Sequence, residues 1–484
     1  MRAELGSPMT AVRPLPAREA LRARDLLMWG AACVALAAVT LLLAWRPTYD
    51  PWAWLVFGRE LAGPLPFSTL AHTGWKPLPV LFTAPFGLAD GAAPLLWLLL
   101  ARAAGLAALA LAFRLAWRAG GWLAGTIAVL ALALSEQWLR YLAAGNIEPV
   151  CAALLLGAGE AHLSGRRRLA LGLGLLVGLA RPEIWPLVGL YALWLWRADG
   201  SRWPTLVGLP ALVGLWLGPD WAGSGEFLHI FGSASGSEEP AEILSTSQPA
   251  LTLAGRALEI LMAPVWIASL AGVVYGWRTR DRTTLTVAVL ALSWTTITIA
   301  GEAIGYPAVP RYLVPPAAAF CVLAGIGFVA LTRAIAAPRR RAVLVVLVAV
   351  MCVPFVAARS VDLADQVRSA DRRAEQLAQL FQAVDRADVA QLGDGVRPLV
   401  VPDYYSTALA WKLNVTLDQV SERPSRRVDI VFALDDAPDL IRLRRRGLRL
   451  EPIARAGEWR VLRIRRRPAG LALSTSRMLA AGEF

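Results

Sequence analysis

Residues 46–60 read Arg-Pro-Thr-Tyr-Asp-Pro-Trp-Ala-Trp-Leu-Val-Phe-Gly-Arg-Glu. They follow an apolar run of about twenty residues, which is the length that crosses a bilayer core. Asp50 therefore lies at the predicted exit from the membrane, followed by a proline and two tryptophans. Arg59 and Glu60 fall on the polar side of a helical pattern that continues from it. A carboxylate in this position is either a solvated surface charge or part of a site.

The composition indicates a polytopic membrane protein. Of 484 residues, 56% are hydrophobic and only 18% are charged, and 20 are tryptophan. The four cysteines lie within apolar runs without ligand-like spacing, so they predict neither a disulfide framework nor a metal site. Three histidines without a His/Cys cluster argue against a zinc enzyme. Since no Gly-rich phosphate loop or Walker-type lysine follows a strand, ATP-driven transport is unsupported.

Apolar stretches of spanning or near-spanning length recur through the first three quarters of the chain. They lie near 26–45, 94–117, 121–136, 148–163, 168–180, 184–197, 203–219, 259–277, 283–300, 311–332 and 342–358. A further apolar run, 77–88, is either a partial span or an interfacial helix. The sequence therefore predicts an α-helical membrane core over 26–358, with about eleven transmembrane helices.

Charge placement predicts the orientation of this core. If residues 1–25 are cytoplasmic and each run crosses once, every second connection is rich in arginine and the others carry the acids. This is the positive-inside pattern. It places the loops 46–93 and 220–256 and the C-terminal region outside the cytoplasm. The loop 220–256, which is rich in Gly, Ser and Glu, is either a mobile lid over a site or slack.

Residues 359–484 predict a small extracytoplasmic α/β domain, because charged helical segments alternate with short strand-like runs. The predicted strands are 398–402, 428–433 and 459–464, and the predicted helices are 360–390, 406–413 and 439–446. An arginine-dense run covers 442–467. It is either a solvated strand face, as most charge runs are, or a contact with an anionic lipid head group or wall polymer.

Ionisable residues near membrane depth are costly and mark functional sites by default. Here they cluster on the predicted outer side, in segments interrupted by proline or glycine. The candidates besides Asp50 are Arg59, Glu60, His72, Lys76, Arg140, Glu148, Arg181, Glu183, Arg311 and Tyr312. Each has an ordinary alternative. Single arginines snorkel to head groups, and the glutamates beside prolines cap helix ends or pair with a neighbouring arginine.

This set of residue types suits the transfer of a sugar from a lipid-phosphate donor. Arginine binds phosphate bidentately and does not lose its proton. The acceptor hydroxyl must lose a proton as it attacks the anomeric carbon, and one carboxylate suffices as base for a single displacement with inversion. Asp50 is the residue we assign to that role.

The chain resembles the GT-C superfamily of membrane glycosyltransferases, which use polyprenyl-phosphate sugars and include mannosyl- and arabinofuranosyltransferases. The resemblance covers roughly residues 20–330. It rests on Asp50 in the first outer loop, the segments around Arg59 and His72, the turn Arg181-Pro-Glu183, and Arg311-Tyr-Leu-Val-Pro315. It implies a first-loop acidic base and a donor phosphate held by loop cations, with Arg59, His72, Lys76 and Arg311 as candidates.

The first loop departs from the commonest GT-C pattern. Asp50 is followed by a proline, where many members have a second acidic residue. The expected cofactor is none, and the dependence on a divalent cation stays open.

The sequence thus predicts an integral glycosyltransferase of the inner (plasma) membrane. Its expected partners are the lipid bilayer, a polyprenyl-phosphate sugar donor and an envelope glycan, lipid or protein as acceptor, with no nucleic acid. Two alternatives stay open: a transporter of lipid-linked sugars or small solutes, and a non-catalytic assembly scaffold with the same fold.

Overall fold

The structure is a computed structural model of the chain. It describes residues 23–70, 74–200, 202–229, 242–243, 245–388, 397–421, 428–435, 437, 440 and 449–465. The chain divides into two compact units between Asp371 and Arg372. The first unit is helical and the second contains a small sheet.

Apolar sequence makes helix the dominant element up to Ala387, because backbone polar groups in a membrane must be satisfied within the segment. The helices are α1 (Ala23–Thr40), α2 (Tyr49–Ala62), α3 (Pro77–Gly87), α4 (Ala93–Gly120), α5 (Trp122–Ala133), α6 (Trp138–Ala144), α7 (Ile147–Leu163), α8 (Arg167–Gly178), α9 (Trp185–Asp199), α10 (Trp203–Ser224), α11 (Pro249–Ile260), α12 (Ala263–Thr279), α13 (Arg282–Ala303), α14 (Val314–Ala334) and α15 (Pro338–Ala387).

Four helices in the described part of the chain are long and apolar enough to cross a membrane, or up to six if each of two bent pairs is one span. The four are α4, α13, the segment Pro310–Ala334 that contains α14, and α15. The predicted count of about eleven is not reached by this criterion, because α7, α8 and α9 are 17, 12 and 15 residues long. The predicted span 26–45 is helical only to Thr40. The exact number of spans therefore stays a prediction.

Two predicted spans are bent in the structure. The run 121–136 continues into α6 after a turn, and α5 and α6 meet at 73°. The run 259–277 begins inside α11 and bends by 100° into α12, so that the predicted loop 220–256 ends in a helix. The two breaks face each other, since the Glu136 N–H donates to the Ile260 carbonyl over 2.8 Å. The first break contains the polar residues Ser135, Glu136 and Gln137, whereas the second, at Leu261 and Met262, is apolar and hydropathy could not reveal it.

The segment Pro310–Ala334 is the central helix of the first unit, with 89% of its most apolar stretch buried. It packs closely on α12 and α5. Glycines make this possible: a Cβ on Gly327 would overlap the Ala268 carbonyl oxygen, and one on Gly325 would overlap that of Ala124. Close backbone approach through small residues is the usual way in which membrane helices pack.

The second unit contains a four-stranded sheet in the order β1-β2-β4-β3, in which β1 and β2 are parallel and the other pairs are antiparallel. The strands are β1 (Pro398–Val401), β2 (Ile430–Leu434), β3 (Arg449–Ala456) and β4 (Trp459–Arg465), and one helix, α16 (Ser406–Leu413), follows β1. Three strands and α16 lie where the sequence predicts them. Strand β3 lies within the arginine-dense run 442–467 and was not predicted. Nearly all of the predicted helix 439–446 lies outside the described residues.

Three arginine side chains of β3 and β4, those of Arg455, Arg460 and Arg465, pair with acids in the sheet or directly after it. Arg455 lies 2.7 Å from Asp435, and Arg465 lies 2.7 Å from Glu451. These pairs are exposed, which agrees with a solvated strand face. The predicted helix 360–390 is not separate, because α15 runs through both the apolar stretch 342–358 and this charged segment.

We predict that Gly327→Ala destabilises the first unit by about 1–3 kcal/mol, the usual cost of overpacking a close contact. The measurement is thermal unfolding of the purified protein in detergent. Gly189→Ala in α9 is the matched control, because a Cβ there meets nothing within 4 Å. An unfolding temperature that Gly327→Ala leaves unchanged would contradict the backbone contact between α12 and α14.

Candidate active site

Asp50 lies in the first turn of α2, which begins where the first loop turns back into helix. Thr48 is the N-cap residue, and Pro51 lies in the first turn, where its missing N–H costs nothing. A negative charge in this position is favoured by the helix dipole. The carboxylate thus has a local role at a helix N-terminus, which the end of the preceding apolar run does not reveal.

Two cations from distant parts of the sequence lie beside Asp50. Its Oδ2 atom is 3.1 Å from Nη1 of Arg311 and 4.0 Å from Nζ of Lys76. Lys76 is the N-cap residue of α3, whose first turn holds two prolines, and Arg311 lies in the 3-10 turn Pro310–Leu313 before α14. The proline-fixed starts of two helices therefore hold both cations toward one carboxylate.

A second acid and a third cation continue this cluster. Nη2 of Arg181 lies 2.5 Å from Oε1 of Glu148, and Nε of Arg311 lies 4.0 Å from the same oxygen. The Arg181 guanidinium stacks over the ring of Tyr312 at 4.0 Å. The side chains of Arg181 and Glu148 are 2% and 1% exposed, so this pair is desolvated. Such pairs are costly to break.

Glu183 lies beside Arg181, and its Oε2 accepts a hydrogen bond from the Tyr306 hydroxyl over 3.1 Å. Burial raises the pKa of Glu183, although Arg181 pulls it down. Burial disfavours the charge on Arg181, but Glu148 and Glu183 together raise its pKa. The cluster thus brings together Asp50, Glu148, Glu183, Lys76, Arg181, Arg311, Tyr306 and Tyr312.

Burial and neighbouring charges act in opposite directions on Asp50 and on Lys76, and the pKa of each group lies below its ordinary value. Burial raises the pKa of Asp50, but Arg311 and then Lys76 lower it more, so its pKa lies below the ordinary value. Burial lowers the pKa of Lys76 to about 8, although Asp50 pulls it up. The Lys76 ammonium also lies 5.4 Å from the centre of the Trp54 ring. Near neutral pH, Asp50 is therefore an anion and Lys76 is mostly a cation.

Several buried polar atoms of this region have no hydrogen-bond partner among the described residues. They are Oε2 of Glu148, Oε1 of Glu183, Nε of Arg181, and the indole nitrogens of Trp54 and Trp75. Buried polar atoms without partners are rare and often mark a functional position. Both acceptors and donors are present, so this arrangement suits a ligand with hydroxyl groups and anionic oxygens.

The structure does not bring every predicted residue to this cluster. Arg59 and Glu60 lie nine and ten residues beyond Asp50 on α2, about 14 Å along the helix axis. Glu60 instead accepts from the Ser68 N–H over 3.2 Å. Arg140 donates to Gln137 within its own helix turn. His72 lies outside the described residues.

Tyr306 belongs to the cluster and Trp54 lies beside its Lys76, but neither was among the predicted residues. Tyr306 lies in the same proline-interrupted segment as Arg311, and Trp54 lies four residues after Asp50, one helix turn away. The composition also singles out Lys76, because Lys76 and Lys412 are the only lysines among the 49 basic residues of the sequence. In the part of the chain that the structure describes, no group of three or more His, Cys, Asp or Glu side chains could hold a metal ion.

Comparison with solved structures identifies the architecture. A crystal structure of ArnT from Cupriavidus metallidurans bound to undecaprenyl phosphate aligns with a TM-score of 0.57 at 14% identity, over 92% of this chain and 98% of that one. The apo state of the same protein aligns with a TM-score of 0.51 at 15% identity, over 90% and 98%. The chain has the GT-C fold. The predicted resemblance is confirmed at the level of the fold.

An oligosaccharyltransferase from Archaeoglobus fulgidus gives a weaker likeness, with a TM-score of 0.45 and 11% identity over 84% of this chain and 70% of that one. No family model and no curated protein sequence matches the chain. At such low identities the GT-C likeness concerns the fold, and the role of each residue has to be argued from the cluster itself.

We predict that a small acylating reagent modifies Lys76 with a rate that is half-maximal near pH 8, the pKa that burial imposes on its amine. Asp50→Asn should move this midpoint lower, because it removes the carboxylate that favours the charged amine. Peptide mass spectrometry across a pH series measures both. A Lys76 midpoint above pH 10, where an ordinary lysine titrates, would contradict the burial of this group.

Proposed function

We propose that the protein is an integral membrane glycosyltransferase that moves a sugar from a polyprenyl-phosphate donor to an extracytoplasmic acceptor. The observation that carries the proposal is the position of Asp50 between Arg311 and Lys76, at 3.1 and 4.0 Å. One carboxylate between two cations suits both parts of the reaction. It can accept a proton, and its two partners can bind a phosphate.

The phosphate would be held by Arg311 and Lys76. Arg181 is less available, because Glu148 lies 2.5 Å from it and the Tyr312 ring covers its face. Arg311 is shared between Asp50 and a more distant Glu148 oxygen, and the distance from Lys76 to Asp50 is at the limit of an ion pair. The donor phosphodiester has one negative charge and two free oxygens, as the Asp50 carboxylate does, so it can take the place of Asp50 as the partner of both cations.

This exchange of partners makes Asp50 a stronger base. Before the donor binds, Arg311 and Lys76 hold the pKa of Asp50 low, which makes its carboxylate a weak base. When the donor phosphate takes over these cations, their pull on Asp50 weakens and its basicity rises. The acceptor hydroxyl then gives its proton to Asp50 as its oxygen bonds to the anomeric carbon.

The bond between the anomeric carbon and the phosphate oxygen breaks in the same displacement, and the polyprenyl phosphate leaves. Arg311 and Lys76 stabilise the charge that develops on the leaving phosphate. Inversion at the anomeric carbon follows, because one displacement needs one base and forms no sugar–enzyme bond. The unpartnered oxygens of Glu148 and Glu183 would accept hydrogen bonds from sugar hydroxyls.

The fold supports the donor class. A structure of ArnT, which shares this fold, contains undecaprenyl phosphate, and a lipid of this kind fits a cation cluster at the predicted outer face of the membrane. The positive-inside pattern supports a position of this face outside the cytoplasm, and the inner (plasma) membrane is part of the proposal. The acceptor would accordingly be an envelope glycan, lipid or protein.

Asp50→Asn should lower the turnover number for sugar transfer by about 100- to 10,000-fold, the usual contribution of a general base. The assay follows radiolabelled sugar from purified polyprenyl-phosphate donors to envelope extract. Glu242→Gln is the matched control, because this acid lies on the predicted outer side in an exposed pair with Arg256. Equal turnover by wild type and Asp50→Asn would remove Asp50 from the mechanism.

Arg311→Lys should lower kcat/KM for the donor by about 10- to 100-fold, the equivalent of one or two hydrogen bonds between charged groups. Lysine keeps the charge but loses the planar fork that holds a phosphate. Arg256→Lys is the control, because it makes the same change in an exposed ion pair. If both variants retain wild-type kcat/KM, the donor phosphate does not depend on Arg311.

A further inference from the structure

Arg102 is buried in α4 with no exposed surface. Its guanidinium donates only to oxygens of two other segments. The Nε and Nη2 groups donate to the Ala143 carbonyl over 2.9 and 2.6 Å. The Nη1 group donates to the Thr40 carbonyl over 2.6 Å, and Nη2 also reaches the Trp45 carbonyl at 3.3 Å.

Among the described residues, no carboxylate forms an ion pair with Arg102. A buried cation without a counter-ion destabilises the folded state, and it is tolerated where several oxygens accept its hydrogen bonds. By contrast Arg114, three turns further along α4, pairs with Glu160 at 2.9 Å in the ordinary way. Arg102 differs from Arg114 in that its charge is compensated by backbone carbonyls of other chain segments.

Its partners are the chain segments that lead to the two acids of the cluster. Thr40 is the last residue of α1, and Trp45 lies five residues before Asp50. Ala143 lies at the end of α6, five residues before Glu148. One guanidinium thus joins both connections immediately before each of them enters the cluster.

Two further hydrogen bonds hold the same connections, one to α4 and one between the connections themselves. The Trp97 indole, five residues before Arg102, donates to the Gly145 carbonyl over 2.9 Å. Gly145 has φ of +76°, and a Cβ there would press on Trp97 and its neighbour. The Thr48 hydroxyl donates to the Asn146 side-chain oxygen over 2.9 Å, directly between the two connections.

We propose that Arg102 is a positioning residue that holds these two connections in register. Its effect is to place Asp50 and Glu148 at 3.1 and 4.0 Å from the same Arg311 side chain. The proposal rests on the proposed function for its catalytic consequence. Its geometric part, the register of residues 40–50 relative to residues 143–148, stands independently of any activity.

The geometric test uses cysteines at positions 48 and 146, introduced as Thr48→Cys and Asn146→Cys. Their side chains replace groups that lie 2.9 Å apart, so they should form a disulfide readily when Arg102 is present. In the Arg102→Met background, oxidation should be about 10-fold slower or more, because the connections then separate for most of the time. Arg114→Met is the matched control, since it removes a buried arginine of α4 that forms an ion pair with Glu160 of α7.

The catalytic test uses the same proteins. Arg102→Met should lower kcat by about 10- to 100-fold while the donor KM changes little, because the acids move and the cations remain. Closing the disulfide in this background should restore kcat. Arg114→Met should retain wild-type kcat even if its unfolding temperature falls. Arg102→Lys provides the same comparison if Arg102→Met fails to fold.

Equal oxidation rates in the wild-type, Arg102→Met and Arg114→Met backgrounds would overturn the proposal, whatever their activity. A loss of kcat that the closed disulfide does not restore would overturn its catalytic part. If the wild type transfers no sugar and only Arg102→Met slows the oxidation, the proposed function is contradicted and the positioning role of Arg102 is supported.

Discussion

The ion pair between Asp50 and Arg311 is the contact on which the rest of the cluster depends. It joins the first turn of α2 to the start of the central helix, two segments that lie 261 residues apart in the sequence. Lys76 and Glu148 are each placed relative to this pair, at 4.0 Å from one of its members. The pair is partly buried, with 30% of the Arg311 side chain and 16% of the Asp50 side chain exposed, and ion pairs of this kind add little net stability. Its main effect is to fix a geometry. That geometry is a carboxylate whose partners suit a phosphate.

The sequence predicted the residue types of the cluster better than the contacts between them. Prolines beside Asp50, Lys76 and Arg311 indicated fixed helix starts, and the arginine-rich connections indicated an orientation. Arg59 and Glu60 were chosen for closeness in sequence, but the length of α2 carries them away from Asp50. Tyr306 was missed because its value lies in a hydrogen bond to Glu183, 123 residues away. Pairings of this kind follow from tertiary packing, which periodicity does not report.

The fold, too, depends on tertiary packing that the sequence does not report. Length and hydropathy predicted the membrane core, and the segments around Asp50, Arg181 and Arg311 carried the GT-C resemblance. Neither predicted the bends between α5 and α6 or between α11 and α12. The packing of α14 depends on Gly325 and Gly327, whose importance appears only once the neighbouring carbonyls are known. A fold shared at 14% identity is thus maintained here by small residues and a few buried charges. Those charges are also what the proposed chemistry uses.

The central claim is that a donor phosphate replaces Asp50 as the partner of Arg311 and Lys76. Equilibrium binding of undecaprenyl phosphate to the purified protein, wild type against Asp50→Asn, measures this exchange directly. If the phosphate has to displace the carboxylate, the asparagine variant binds the lipid severalfold more tightly, since residue 50 then neither competes for Arg311 and Lys76 nor repels the phosphate. Weaker binding by Asp50→Asn, or none, would contradict the account, because Asp50 would then support the bound lipid instead of giving way to it.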